Sequence, residues 1–214
     1  MEVSIKKTPL NSRNLLLKNI NRSTIFTKKI FMTKNKKGIL ILTPFFSPNI
    51  GGVESHLDDL ITVLDEQGYL VFVQTYSPLT TKNTLSKKQE YIGNSTKIFR
   101  HKWIGRNLFH KLENYPILDF LYLTPYLFIR SFLFMIANTK KIETIHAQGL
   151  NAGVIGVFLK VIFRKRLLIS LHAVYGQLKK NNLTTLLATL ILNNAEIVLG
   201  MSNTVINQFK KLET

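Results

Sequence analysis

Apolar residues along this chain follow two rhythms. Short, nearly continuous apolar runs recur at Gly38-Ile-Leu-Ile-Leu-Thr43, at Tyr69-Leu-Val-Phe-Val-Gln-Thr75, around Lys97-Ile-Phe-Arg100, and over 142–146, 167–172 and 196–200. Runs of this length, rich in β-branched and aromatic residues, predict buried parallel strands. Between them the rhythm becomes helical. Val53, Leu57, Leu60, Ile61 and Leu64 share one face, and Gly68 supplies a stop. Further helices are predicted over 150–163, 181–193 and 202–211. The first of these ends on Arg164-Lys165-Arg166, whose charge complements the helix dipole.

Repeated strand–helix–strand units predict an α/β fold, a Rossmann-like parallel sheet with helices on both faces and right-handed crossovers. Neither GxGxxG nor GxxxxGK[ST] occurs, which removes the standard dinucleotide and P-loop readings. Polar residues 77–90, with Pro78, predict an exposed loop, and the mixture over 101–115 predicts a mobile surface segment. Residues 116–137 are the most apolar stretch, close to the roughly 20 residues a membrane span needs. Asp119, Pro125 and Arg130 interrupt it, and a charge at mid-bilayer costs about 2.5–3.5 kcal/mol. A buried or partly membrane-touching helix therefore ranks ahead of a span.

The net charge of +17 is unevenly placed. Residues 1–37 carry 10 Lys/Arg against one acid, while 38–214 carry 19 against 11. The domain is expected over 38–214. Residues 1–37 read as a basic, unordered leader without a signal-peptide apolar block, and Met32 is a natural alternative start. The charge sits mostly in this tail and no helix-turn-helix or RNP-like signature accompanies it, so no nucleic-acid partner is expected. The absence of cysteine excludes disulfides and thiolate metal sites, and the five histidines lack HExxH spacing. No cofactor and no metal is expected.

Open parallel sheets bind ligands beyond the carboxyl ends of their strands. Gly51, Gly52, His146, His172 and Ser202 all fall just past a predicted strand end, so they should share one rim. Gly51 and Gly52 lie where a strand meets a helix N-terminus, a place where free N–H groups favour phosphate. A plain tight turn would use the same two residues. His172 could be an active-site imidazole or a packing residue. His146 reads as shaping its turn, His56 as packing or facing solvent, and Ser202 as the N-cap of the last helix.

The string Thr43-Pro-Phe-Phe-Ser-Pro-Asn-Ile-Gly-Gly-Val-Glu-Ser-His56 resembles the opening of nucleotide-sugar-dependent glycosyltransferases of family 4, which have the GT-B fold. Three later segments agree in order and spacing: Thr144-Ile-His-Ala-Gln-Gly-Leu150, Leu167-Leu-Ile-Ser-Leu-His-Ala-Val-Tyr-Gly176 and Asn194-Ala-Glu-Ile-Val-Leu-Gly-Met-Ser-Asn-Thr204. The resemblance covers roughly residues 38 to 212 and implies an N-terminal, acceptor-side domain. It implies retaining, metal-independent transfer of a sugar from a UDP- or GDP-sugar donor to a sugar, lipid or polyol acceptor. In it His172 contacts the transferred sugar and helps position the acceptor hydroxyl, while Gly51 and Gly52 approach the donor diphosphate. Ala173 stands where the family more often has glycine, and Gln148 where it often has a second histidine.

Glu54 falls where some relatives bind acceptor, although an acid in a first helical turn also stabilises the dipole by about 0.3–1 kcal/mol. Asn49 could orient a polyol acceptor, or simply serve the turn. The family's Glu-x7-Glu motif, which belongs to the second domain, does not occur here. The expected activity is therefore that of a half-enzyme completed by a separate C-terminal GT-B half. The alternative is a non-catalytic module binding an acceptor or partner. The basic surface and the apolar 116–137 segment imply a cytoplasmic protein, peripheral at an anionic membrane surface.

Overall fold

A computed structural model describes residues 2–6, 16–20, 38–79, 88–105, 108–112, 115–172 and 183–210. In chain order the elements are β1 (Glu2–Lys6), β2 (Leu16–Ile20), β3 (Gly38–Leu42), α1 (Gly52–Glu66), β4 (Val71–Tyr76), β5 (Gln89–Ile92) and β6 (Thr96–His101). They continue as α2 (Leu108–Leu112), α3 (Pro116–Asn138), β7 (Ile142–Gln148), α4 (Gly149–Phe163), β8 (Arg166–Leu171), α5 (Leu183–Asn194), β9 (Ile197–Gly200) and α6 (Asn203–Lys210). The strands lie side by side as β2-β1-β9-β8-β7-β3-β4-β6-β5.

Strands β9, β8, β7, β3, β4 and β6 pair in parallel, and antiparallel strands flank them at each end. From β6 to β9 this is the strand order of doubly wound nucleotide-binding sheets. The order reverses between β3 and β7, so the crevice for a ligand opens above the carboxyl ends of those two strands. The expected fold class is the one observed.

Alternation along the strands divides the core in two. Leu40, Leu42, Phe72, Ile145, Ala147, Leu167 and Ile169 meet α3, α4 and α5 on one face. Ile39, Ile41, Val71, Val73, Ile98 and Leu168 meet the apolar stripe of α1 on the other. Helix α4 sinks deeply into its layer because Gly156 faces the sheet. A β-carbon there would stand 2.7 Å from Leu167 Cδ1.

Three sequence expectations change. Strands β1 and β2 form an antiparallel hairpin that extends the sheet beyond β9, where an unordered leader was expected. An uncovered β9 would leave a row of backbone N–H and C=O groups unpaired, and the hairpin satisfies them. The rest of the leader, Met32 and Ala173–Gly176 lie outside the described residues. Part of the expected 77–90 loop is strand β5.

The 101–115 segment is not a detached surface stretch. Trp103 stacks at 4.7 Å on Tyr126, and Phe109 meets Phe45 edge-on at 4.5 Å. Trp103 and Phe109 thus have partners on α3 and on the β3–α1 loop, while Tyr115 stays exposed.

Helix α3 contains Pro125 and is held by a side chain inserted into its hydrogen-bond ladder. The Tyr76 hydroxyl donates to Leu123 O at 2.7 Å and accepts from Leu127 N at 3.1 Å. Proline removes a backbone donor and disturbs the turn before it, and the phenol bridges the opened groups. Burial raises the Tyr76 pKa, so the hydroxyl keeps its proton. A second anchor runs from Arg130 Nε to His101 Nδ1 (3.1 Å) and from His101 Nε2 to Gln74 Oε1 (2.6 Å).

Candidate functional site

Strand parity assembles the site. Leu168, Ser170 and His172 fall on the α1 face of the sheet, and so do His146 and Gln148 of β7, whose register pairs His146 with Leu168 and Gln148 with Ser170. His172 stands one residue past β8, at the carboxyl edge beside the crevice. Its Nε2 lies 2.5 Å from Gln148 Oε1. Gln148 Nε2 in turn lies 3.2 Å from His146 Nε2, which is also 2.9 Å from Ser170 Oγ.

With the Gln148 amide in this orientation, the contacts set the tautomers. An amide oxygen only accepts and an amide nitrogen only donates. His172 therefore carries its proton on Nε2 and offers Nδ1 as an acceptor. His146 receives from Gln148 on Nε2 and carries its proton on Nδ1.

Burial holds the cluster neutral. His172 is pushed down to about 4, first by burial and then by His56. His146, fully enclosed, is pushed down to about 3 by burial, with His56 and His172 adding to it. Burial also lowers the pKa of His56, against the opposing charge of Asp59. At neutral pH the three rings are hydrogen-bonding groups rather than proton stores.

The structure brings His172 and the Gly51–Gly52 turn to the same edge. His56 lies one helical turn after Gly52, and its ring is 5.6 Å from that of His172. This contact was missing from the sequence reading, which left His56 as a packing or solvent-facing residue. The signal was available: His56 is four residues after Gly52 and three after Val53, on the helix face that looks toward the turn. Gln148 was noted only as a substitution for histidine, yet it is the residue that joins the other two.

The two glycines differ. A β-carbon on Gly52 would meet nothing within 4 Å, so its surface is open to a ligand. On Gly51 it would stand 2.5 Å from a carboxylate oxygen of Glu54. Glu54 folds back over the first turn of α1 and is only 8% exposed. Its anion already complements the helix N-terminus there, so a diphosphate has room at Gly52 and meets a like charge at Gly51.

Asn49 is 4% exposed and donates from Nδ2 to Phe46 O at 3.1 Å, which is the turn-stabilising role. The loop is fixed further by Arg100. Its guanidinium donates to Ser47 O, pairs with Glu90 at 2.9 Å and covers the Phe46 ring at 5.4 Å.

One rim residue is elsewhere than expected and one is where it was expected. His146 is not past a strand end, because pairing with β8 carries β7 on to Gln148, and its ring lies under the edge. Ser202 stands two residues past β9 and accepts from Val205 N at 3.2 Å as the N-cap of α6, the expected role, outside the histidine cluster. Among the described residues no group of three or more His, Cys, Asp or Glu is arranged to hold a metal ion.

No protein-family model matches this chain, and no curated protein does. Among solved structures, sucrose-phosphate synthase from Thermosynechococcus elongatus superposes with a TM-score of 0.51 at 16% identity, over 75% of this chain and 41% of that one. A second structure of that protein gives 0.49 at 18% identity, over 74% of this chain and 73% of that one. The chain thus spans about 41% of the length of the first, and the likeness shows the fold: a Rossmann-like α/β sheet of the kind found in GT-B glycosyltransferases.

Proposed function

We propose that this domain is the acceptor-side half of a retaining GT-B glycosyltransferase of family 4, transferring a sugar from a UDP- or GDP-sugar to a hydroxyl of a lipid or polysaccharide precursor. One observation carries the reading. The His172–Gln148–His146 chain meets His56 at the carboxyl edge of a doubly wound sheet, beside the open surface of Gly52.

In this reaction the acceptor oxygen forms a bond to the anomeric carbon, and the bond from that carbon to the diphosphate breaks. The acceptor proton passes to the departing phosphate oxygen. A neutral His172 suits this chemistry, since its Nδ1 accepts from a sugar or acceptor hydroxyl and orients it without taking the proton. Preorganised polar groups of this kind act through geometry. The named side chains of the cluster supply no cation for the leaving diphosphate. That role falls to a donor-binding half, on this polypeptide or another.

The test is transfer of labelled sugar from UDP- and GDP-sugars by the 214-residue chain, alone and with a matching donor-binding half. The expected outcome is no transfer alone and transfer in the assembly. In the assembly Gly52→Val should weaken both donor binding and turnover. Robust transfer by the lone chain would sink the half-enzyme reading. Acceptor binding without transfer in any assembly would make it a binding module.

A further inference from the structure

Helix α3 buries an apolar face like any surface helix, yet its outer face is apolar as well. Toward the sheet it buries the hydroxyls of Thr124 and Ser131, neither with a hydrogen-bond partner among the described residues. Away from the sheet, Leu121, Ile129, Leu133 and Ile136 are each 52–58% exposed. Their spacing of eight, four and three residues places them on one stripe.

Helix α4 runs alongside in the same direction, with Phe128 and Phe158 rings 6.0 Å apart and Phe132 and Phe163 5.6 Å apart. Phe158, Val161 and Ile162 are 52–64% exposed and broaden the stripe. Contiguous apolar surface on this scale marks an interaction site.

Cations close one end of the patch. Lys140 and Lys141 follow α3, and Arg164 and Lys165 follow α4. The two basic turns adjoin, because Lys165 Nζ donates to Thr139 O at 2.7 Å. Residues 115–172 hold seven Lys/Arg against two acids. Of those acids, Asp119 accepts from Asn151 Nδ2 at 2.8 Å. An apolar face with a cluster of cations at one end matches an anionic lipid surface. A second copy docking with its helices parallel to these would set the cations against their own kind.

We propose that the joint outer face of α3 and α4 lies flat on an anionic membrane, with its apolar stripe at the headgroup–acyl boundary and Lys140, Lys141 and Arg164 against lipid phosphates. The helix lies on the bilayer and does not cross it. Leu123, Leu127 and Met135 are built into the core, and Tyr76 and His101 hold the backbone and Arg130 to the sheet. At 1.5 Å per residue the stripe from Leu121 to Ile136 offers a contact about 23 Å long. The stripe begins near the carboxyl edge, so the crevice would open alongside the membrane, within reach of a lipid-borne acceptor.

This inference stands apart from the transferase reading, because vesicle binding needs neither donor nor turnover. The experiment is co-sedimentation of the full chain with phosphatidylcholine vesicles, with and without phosphatidylglycerol. Binding should require the anionic lipid and fall with salt. A variant combining Leu133→Gln, Ile136→Gln and Phe158→Gln should bind about tenfold more weakly or worse. Lys140→Ala with Lys141→Ala should lose roughly 30-fold. Both should keep the parent's circular dichroism and thermal midpoint. No vesicle binding, equal binding to neutral vesicles, or binding unchanged by the apolar replacements would overturn the proposal. Self-association abolished by those replacements, without vesicle binding, would assign the face to a second copy instead.

Discussion

Helices α1 and α3 close opposite faces of one sheet and differ in what they turn outward. Helix α1 buries Leu57, Leu60, Ile61 and Leu64 and exposes Ser55, Asp59, Thr62 and Glu66. Its polar groups also hold neighbouring structure. The Asp58 carboxylate accepts from Ser47 in the site loop, and Asp65 accepts from Asn94 N, Ser95 N, Ser95 Oγ and Thr96 Oγ1 in the β5–β6 turn. Helix α3 sends its polar contacts inward beside the buried Leu123, Leu127 and Met135, and turns Leu121, Ile129, Leu133 and Ile136 outward. Burial of apolar area explains the inner face of both helices. Only α1 has an outer face suited to water. The side that faces water carries the candidate chemistry, and the other carries a surface that calls for a less polar neighbour.

Acid should break this comparison most severely, because neutral histidines lie on both sides. His146 and His172 sit on the α1 face, and His101 under α3 is pushed down to about 4 by burial and Arg130. Each has a folded pKa below its unfolded value near 6.5, so below that pH the unfolded chain binds more protons. Stability is full above about 6.5 and falls as pH drops toward about 4. At pH 5 the loss is about 2 kcal/mol for each group. Thermal melts from pH 7.5 to 4.5 check this, and a flat midpoint would refute it.

Arg100→Leu should strike the α1 side alone, by about 3–5 kcal/mol, because Glu90 keeps a partly buried charge without its partner. Denaturant titration measures it. His172→Ala should leave both helices in place yet lower turnover of the assembled enzyme roughly 100-fold. Donor affinity should change much less, and vesicle binding not at all, which a split of kcat from KM and a sedimentation assay would report. Tyr76→Phe is the smallest change and is confined to the α3 side. It strands Leu123 O and Leu127 N at a cost of about 1–3 kcal/mol. The same denaturant titration should show this loss with no change in kcat.

Much of the fold was legible in the chain itself. Strands of four to seven residues and the stripe of α1 follow from side-chain periods of 2 and 3.6, which are local properties of the backbone. The carboxyl-edge placement of Gly52 and His172 followed as well, since a parallel sheet puts every strand end on one side. What lay beyond the sequence depends on contacts between residues far apart in it. The hairpin on β9 depends on which edge is left unpaired. His146 moved from rim to interior because β7 pairs two residues further than its apolar run suggested. Gln148 joins His172 to His146 because β7 and β8 are neighbours in register, and His56 reaches them because α1 lies across the same edge. The outward face of α3 was visible only as an apolar run. Its direction was decided by where Tyr76 and His101 hold it, since hydrophobicity drives burial without specifying which face a partner will cover.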